Sequence, residues 1–351
     1  MSKKTILTKP EYKNLCKKAN KGFLPVDYFR KNMFNSTFRD SFFLKRKKTI
    51  YDDGNTIIKV NRSLNQKHRD LLSILMYEKN TKPEKDGSYR IITSIYQLAK
   101  KMGYKNPKDA THIIYNLLDD LANTRVYTRN EKTKLNIDHH LMGYYQYNDE
   151  MSHYEIEVPA HTAKYTIFTT GVLIPQDINT KIVQIPNNKS KLKALISFLL
   201  SNKKLKNGIG FSSVCDKLDI VKADMKSKFK RQVKDNLDLL QEFQISFTDD
   251  KFYLSEEIVE FERAITDKDI EKAKFKEWVQ TIKKLHEGQK LCKHSIDKEL
   301  RTLYIFKGNI HIKSDGKIMK LTENKRVENA IYKNLYLGKV KLAKLKMGED
   351  D

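Results

Sequence analysis

KSKFKRQVKDNLDLLQEF, residues 226–243, is nearly half charged, yet its apolar residues recur like those of a helix that buries one face. Phe229, Val233, Leu237 and Leu240 follow at intervals of three and four, on one stripe. On other faces of the same turns sit Lys226, Lys228, Lys230, Arg231 and Lys234. Between 222 and 234 the only acid is Asp224; Asp235, Asp238 and Glu242 come later. A helix macrodipole favours acids first and bases last, so helix stability does not explain this order. Two readings stand: a Lys-rich solvated face, or an N-terminal half that docks on phosphates. On the second, Arg231 can also meet a guanine edge.

The flanking sequence supplies the context. KLKALISFLLSNKK (191–204) predicts a helix with Leu192, Leu195, Ile196, Leu199 and Leu200 inward. IGFSSVCDKLDI (209–220) predicts a short helix capped by Ser212 or Ser213. QISFTDDKFYL (244–254) reads as a hairpin with Asp249-Asp250 at its tip. Three helices and a hairpin make the order of a winged-helix unit, a relative of the helix-turn-helix.

The same order occurs upstream. TIIKV, from residue 56, reads as a strand, and Ser63 with Gln66 as a capping box opening the helix LNQKHRDLLSILMYEKN. YRIIT reads as a strand, and SIYQLAKKMGY as a short helix closed by Gly103. Pro107 is placed at the first position of a helix over 106–122, with Ala110, Ile113, Ile114, Leu117, Leu118 and Leu121 inward. TRVYTRN out to HYEIEV reads as the strands of one hairpin. The non-core faces of the third helix carry Lys105, Lys108, Thr111, His112, Tyr115 and Asn116. Of these, Asn116 can pair with adenine, and Tyr115 is either half-buried or available for stacking.

The expected fold is α+β: a basic aromatic N-terminal arm (1–50), a winged-helix domain with additional strands (51–186), a second winged-helix domain (187–262), and a C-terminal part (263–351). The arm carries Phe23, Tyr28, Phe29, Phe34, Phe38, Phe42 and Phe43, and is expected to pack on the body, with a partner-binding or DNA-tracking arm as the lesser alternative. Residues 151–186 are read as a segment of strands. The C-terminal part offers the helix DKDIEKAKFKEWVQTIKKLHEG with Trp278, a hairpin turning at Asp315-Gly316, and a basic helical segment through YKNLYLGKVKLAKLK.

Among 351 residues, Lys+Arg number 68 against 44 Asp+Glu, a formal net charge of +24. Such an excess favours nucleic acid or anionic membrane, while a low-GC genome would also inflate Lys, Asn and Ile. Cys16, Cys215 and Cys292 are scattered without a CxxC pair, which argues against a zinc module and fits a reducing cytoplasm. The N-terminal segment has no apolar h-region and no run approaches 18 apolar residues, so neither export nor membrane spanning is expected.

Nucleotide-binding loops, GxSxG and HExxH are absent. A metal-dependent nicking site would need two histidines flanking one bulky residue, an upstream acid and a downstream tyrosine such as Tyr332 or Tyr336. His139 and His140 are adjacent, so they point to opposite faces of a strand, with His153 and His161 downstream. No catalytic residue, metal or cofactor is therefore expected.

The second unit resembles the iteron-binding plasmid replication initiator proteins. The likeness rests on KLKALISFLL, FSSVCDKLDI and FKRQVKDNLDLLQEFQISF, with the aromatic-basic run Phe229-Lys230-Arg231-Gln232-Val233 leading to the hairpin. The first unit, entered through IIKVNRSLNQKHRDLLSIL, is similar, and the likeness covers about residues 55–260. It implies binding of duplex DNA repeats at an origin, opening of adjacent DNA, recruitment of host replication proteins, and exchange between monomer and homodimer. It places the stronger groove contacts on Lys226, Lys230, Arg231 and Lys234. The alternatives are a winged-helix transcriptional repressor and a rolling-circle nicking initiator.

Overall fold

In the computed structural model, residues 7–343 are described except 20, 31–32, 37–41, 53, 132–134, 203–204, 257, 297–298, 315–316 and 321–324. The chain divides into two units, Met1–Ile265 and Thr266–Asp351. The larger begins with α1 (Lys9–Ala19), β1 (Phe23–Pro25), α2 (Val26–Arg30) and β2 (Phe34–Asn35). Phe23, Tyr28, Phe29 and Phe34 are buried, so these rings belong to the core of the unit. Phe38 lies outside the described residues, as do the side chains of Phe42 and Phe43.

β3 (Phe42–Asp52) and β4 (Thr56–Asn65) form a long antiparallel pair. Because β4 continues through Ser63, the capping box falls on Asn65 and His68 instead of Ser63 and Gln66. α3 (Gln66–Leu75) follows, burying Leu71, Leu72 and Leu75. Then come β5 (Lys79–Asn80), β6 (Tyr89–Thr93) and α4 (Ile95–Lys101), which Gly103 closes at φ +80°. α5 (Thr111–Ala122) starts four residues beyond Pro107. The Asn106 side-chain amide donates to the Asp109 carboxylate at 2.8 Å, and residues 107–110 form turns ahead of the helix.

β7 (Arg125–Asn130) and β8 (Leu135–His140) pair with each other and join β4, whereas β9 (Tyr145–Asn148) and β10 (His153–Val158) join β6. The single hairpin expected here is therefore two hairpins in two sheets. Residues 151–186 are not a run of strands either: α6 (Ala160–Phe168) and α7 (Gln176–Gln184) flank β11 (Gly171–Leu173). Lys18, 1% exposed, anchors α1 to the end of α6, its ammonium donating to the carbonyls of Thr166, Ile167 and Thr169 at 2.8, 3.2 and 3.0 Å. Cations at a helix C-terminus satisfy carbonyls that lack an intrahelical donor.

α8 (Ser190–Leu200) buries every leucine and isoleucine assigned inward. β12 (Leu205–Gly210) and α9 (Phe211–Lys217) follow, with Gly210 at the N-cap, so Ser212 and Ser213 lie within the first turn and cap nothing. The stretch at 226–243 is two helices, α10 (Ala223–Lys234) and α11 (Leu237–Gln241). The break comes at Asn236, whose amide donates to the Gln232 carbonyl at 2.7 Å while its Oδ1 accepts from Lys189 Nζ at 2.7 Å. Phe229, Val233 and Leu240 stay buried, but Leu237 turns out to 38% exposure. β13 (Ile245–Thr248) and β14 (Lys251–Leu254) form the expected hairpin, with Asp249 and Asp250 both at positive φ, 49° and 55°, as a type I′ turn requires. β15 (Glu260–Glu262) pairs with β11, which also pairs with β1.

Two sets of elements thus share one order: helix, strand, helix, helix, strand, strand. They are α3, β6, α4, α5, β9, β10 and α8, β12, α9, α10, β13, β14, with β5 and β7–β8 added in the first and α11 in the second. In each, the strand between the first two helices bonds the last strand, giving the sheets β5-β6-β10-β9 and β12-β14-β13. The first helices meet through a buried ion cluster. Asp70 on α3 pairs with Arg69 and, at 2.5 Å, with Lys193 on α8; Arg69 also donates to Ser197 Oγ at 2.9 Å.

The smaller unit contains α12 (Asp267–Leu285), the four-stranded meander β16 (Lys290–Ile296), β17 (Glu299–Phe306), β18 (Asn309–Ser314) and β19 (Lys317–Lys320), and α13 (Lys325–Tyr336). α12 opens on a capping box of Thr266 and Asp269. Leu291, Leu303, Ile305, Ile331 and Leu335 form its own core. The turn at Asp315-Gly316 lies outside the described residues. The last helix ends at Tyr336, earlier than the basic pattern suggested; Gly338, at φ +69°, follows it. Among the described residues no helix is long and apolar enough to cross a membrane.

Candidate nucleic-acid interface

α10 is held by its apolar side. Phe229 stacks on Phe211 with ring centroids 5.8 Å apart, and Phe211 also meets Phe247 and Phe252 at 6.0 and 6.3 Å. With Phe229 and Val233 fixed inward, 3.6-residue periodicity sends Ser227, Lys228, Arg231 and Lys234 to the opposite side. All four are exposed, and among the described residues the three cations have no ion-pair partner.

The other two cations of the stretch are placed differently. Lys226 and Lys230, half-buried, lie on the flank of α10. Lys226 reaches Asp216 at 3.1 Å and Lys230 reaches Asp250 at the hairpin tip at 2.6 Å, with its ammonium 5.9 Å from the Phe211 ring centre. The basic face read from the sequence is therefore two faces: an open stripe of Lys228, Arg231 and Lys234, and a flank already neutralised by carboxylates. Exposed pairs of this kind contribute about 0–1 kcal/mol, so a phosphate can displace either one.

The hairpin beside α10 is acidic at its tip, which is unfavourable for a wing meeting a phosphate backbone. Asp250→Asn is expected to raise affinity for any duplex by about 2–10-fold near 0.1 M salt. It should also steepen the salt dependence by roughly one counterion, because Lys230 becomes free to contact a phosphate. Fluorescence anisotropy across a salt series measures both, and lower affinity in the variant would show that Asp250 is not a competitor of DNA.

The first set presents a poorer surface. Lys108 is exposed in the turn before α5, but the Thr111 hydroxyl donates to the Lys108 carbonyl at 2.8 Å. His112 and Asn116 are exposed and line a cleft of about 490 Å3 together with Arg62 and Lys67, which were not assigned from the sequence. Asp119 and Asp120 line it too; Asp120 pairs with Arg62, and His68 Nε2 lies 3.0 Å from its carboxylate. Tyr115 is fixed in a tyrosine cluster: its hydroxyl bonds that of Tyr154 and its ring stacks on Tyr145 at 6.1 Å. Two rings of the adjacent hairpin remain open, Tyr144 at 59% and Tyr147 at 48% exposure. The run YYQY at 144–147 was their visible signal. On β3, within the stretch read as a basic arm, Arg46, Lys47 and Lys48 add exposed cations, of which Lys47 reaches Asp138 at 3.3 Å.

Residues weighed for nicking chemistry are packed within their own units. His139 is buried against Tyr165, ring centroids 4.5 Å apart, while His140 Nδ1 contacts the Ala122 carbonyl at 2.7 Å. Tyr332 is buried, its hydroxyl without a hydrogen-bond partner among the described residues, and burial pushes the hydroxyl pKa up. Among the described residues no group of three or more His, Cys, Asp or Glu is placed to hold a metal ion.

No protein-family model matches the sequence, and no curated protein matches it. Among solved structures, the crystal structure of selenomethionine derivatives of domains 2 and 3 of RctB is similar over 84% of this chain and 95% of that one. The identity is 11% and the TM-score 0.41, a likeness too slight to carry an argument.

Proposed function

We propose that the chain is a replication initiator without catalytic chemistry of its own. Its two helix–strand sets act as winged-helix modules that read repeated duplex sites at a plasmid origin, open the adjacent DNA and bring in host replication proteins. The observation that carries this reading is the open cationic stripe on α10, the third helix of a set whose strand order β12-β14-β13 suits a wing. In such modules the third helix enters the major groove. Lys228 and Lys234 then lie on phosphates, and Arg231, between them, faces the base edges.

Arg231→Ala is expected to weaken binding to the site selected from a random duplex library by about 1–3 kcal/mol, with less effect on random DNA. Lys228→Ala should weaken both alike and flatten the salt slope by roughly one. Equal, small effects of the two substitutions on both DNAs would remove α10 as the sequence reader. Opening is a separate claim. Thymines beside the selected site, in supercoiled plasmid, should become permanganate-reactive when the protein binds; a repressor with the same modules would leave them protected.

A further inference from the structure

In the smaller unit, α12 and α13 leave between them a groove of about 740 Å3. Phe275, Val279, Tyr336 and Leu337 supply its apolar lining, and Leu337 is 50% exposed. Cations stand on both rims: Lys268, Lys272 and Lys276 at successive turns of α12, Arg326 and Lys333 on α13. Glu271 is the single carboxylate among the described lining residues. At one end Lys283 pairs with Glu328 at 2.7 Å and sits 5.3 Å from the Tyr332 ring centre, tying the two helices together.

The rings argue against a nucleobase as the occupant. Phe275 and Trp278 stack on one another at 6.4 Å, and Tyr336 meets both edge-on at 5.3 Å. A stacking platform for bases needs an open ring face, and here the rings engage each other. Small apolar side chains fit the remaining space. From Lys268 to Val279 the groove runs along roughly 16 Å of helix, enough for the i, i+4, i+7 anchors of a partner helix.

We infer that this groove receives an acidic amphipathic helix of a partner protein, its carboxylates on the rim lysines and its apolar anchors on the floor. The inference goes beyond the DNA reading and does not rest on it. The test is to pan phage-displayed random 16-residue peptides against the full chain, then titrate the enriched peptides, fluorescein-labelled, by anisotropy. Trp278, the sole tryptophan, gives a second signal beside the groove. Enriched sequences should be net acidic with apolar residues at helical spacing. Lys272→Glu with Lys276→Glu should weaken them at least tenfold and Leu337→Ala about fivefold. The same charge change at exposed Lys79 and Lys82 should leave affinity within twofold. No enrichment, a consensus without net acidity, indifference to the groove substitutions, or displacement of the peptide by a 20-nucleotide oligothymidine would each overturn the inference.

Discussion

Asp70→Asn is expected to destabilise the larger unit by about 3–5 kcal/mol, a fall in Tm of roughly 10 °C. Asp70 is 2% exposed and stands between two buried cations, Arg69 on its own helix and Lys193 on α8. Lys193 also donates to the Val183 carbonyl at 2.8 Å. Burial pushes the Lys193 ammonium below its ordinary pKa, and Asp70 pulls it back up. An amide at position 70 keeps the shape but leaves two positive charges facing each other out of water. Removing one partner of a buried cluster is far more damaging than removing all of it. The combination Arg69→Met, Asp70→Leu and Lys193→Met should therefore recover most of the loss. Thermal melts of the three proteins decide the matter; a melt of Asp70→Asn within 2 °C of the parent would mean that the cluster does not hold α3 to α8.

Acid should act on the same unit through His139. Burial holds its imidazole pKa down, from the usual 6.5 to about 3, with Asp138 opposing and His140 and His161 adding to the shift. Neither ring nitrogen has a hydrogen-bond partner among the described residues. The neutral ring is the folded form, so its contribution is complete above pH 6.5 and is lost as pH falls toward 3. In that window the unfolded chain binds the extra proton. At about 1.4 kcal/mol per pH unit the loss approaches roughly 5 kcal/mol near pH 3. His139→Phe keeps a ring against Tyr165 and should flatten stability between pH 6 and 4, measured by urea unfolding. Equal pH slopes for the variant and its parent would show that His139 is not the acid-sensitive group.

Periodicity carried the reading furthest in the second set, even though α8 is buried on nearly every side. α8 and the β13–β14 hairpin were legible because leucine spacing and the Asp-Asp tip each admit one arrangement. α10 was legible through Phe229 and Val233, but the break at Asn236 was not. That break depends on Lys189, 47 residues away, holding the Asn236 side chain. The division of the basic face also needed tertiary information, since Asp216 and Asp250 select Lys226 and Lys230 out of an otherwise uniform run. In the first set, alternation identifies strands but not their partners. Hence the assignment of 125–140 to a different sheet from 145–158 was invisible. Ser63 with Gln66 fitted a capping box by spacing, and only the length of β4 moved the cap on to Asn65.

The buried Asp70 cluster has a further consequence for how a target is measured. Two modules on a flexible tether accept a range of half-site separations, because the linker absorbs the difference. α3 and α8 are instead tied to each other by buried pairs within one unit, so on the proposed DNA reading α5 and α10 would meet their half-sites at one separation and one angular phase. One inserted base pair turns the second half-site by about 34° around the duplex axis. A rigid reader has no slack to follow it. On the proposed DNA reading, spacing thus becomes part of the address, as strictly specified as the bases themselves.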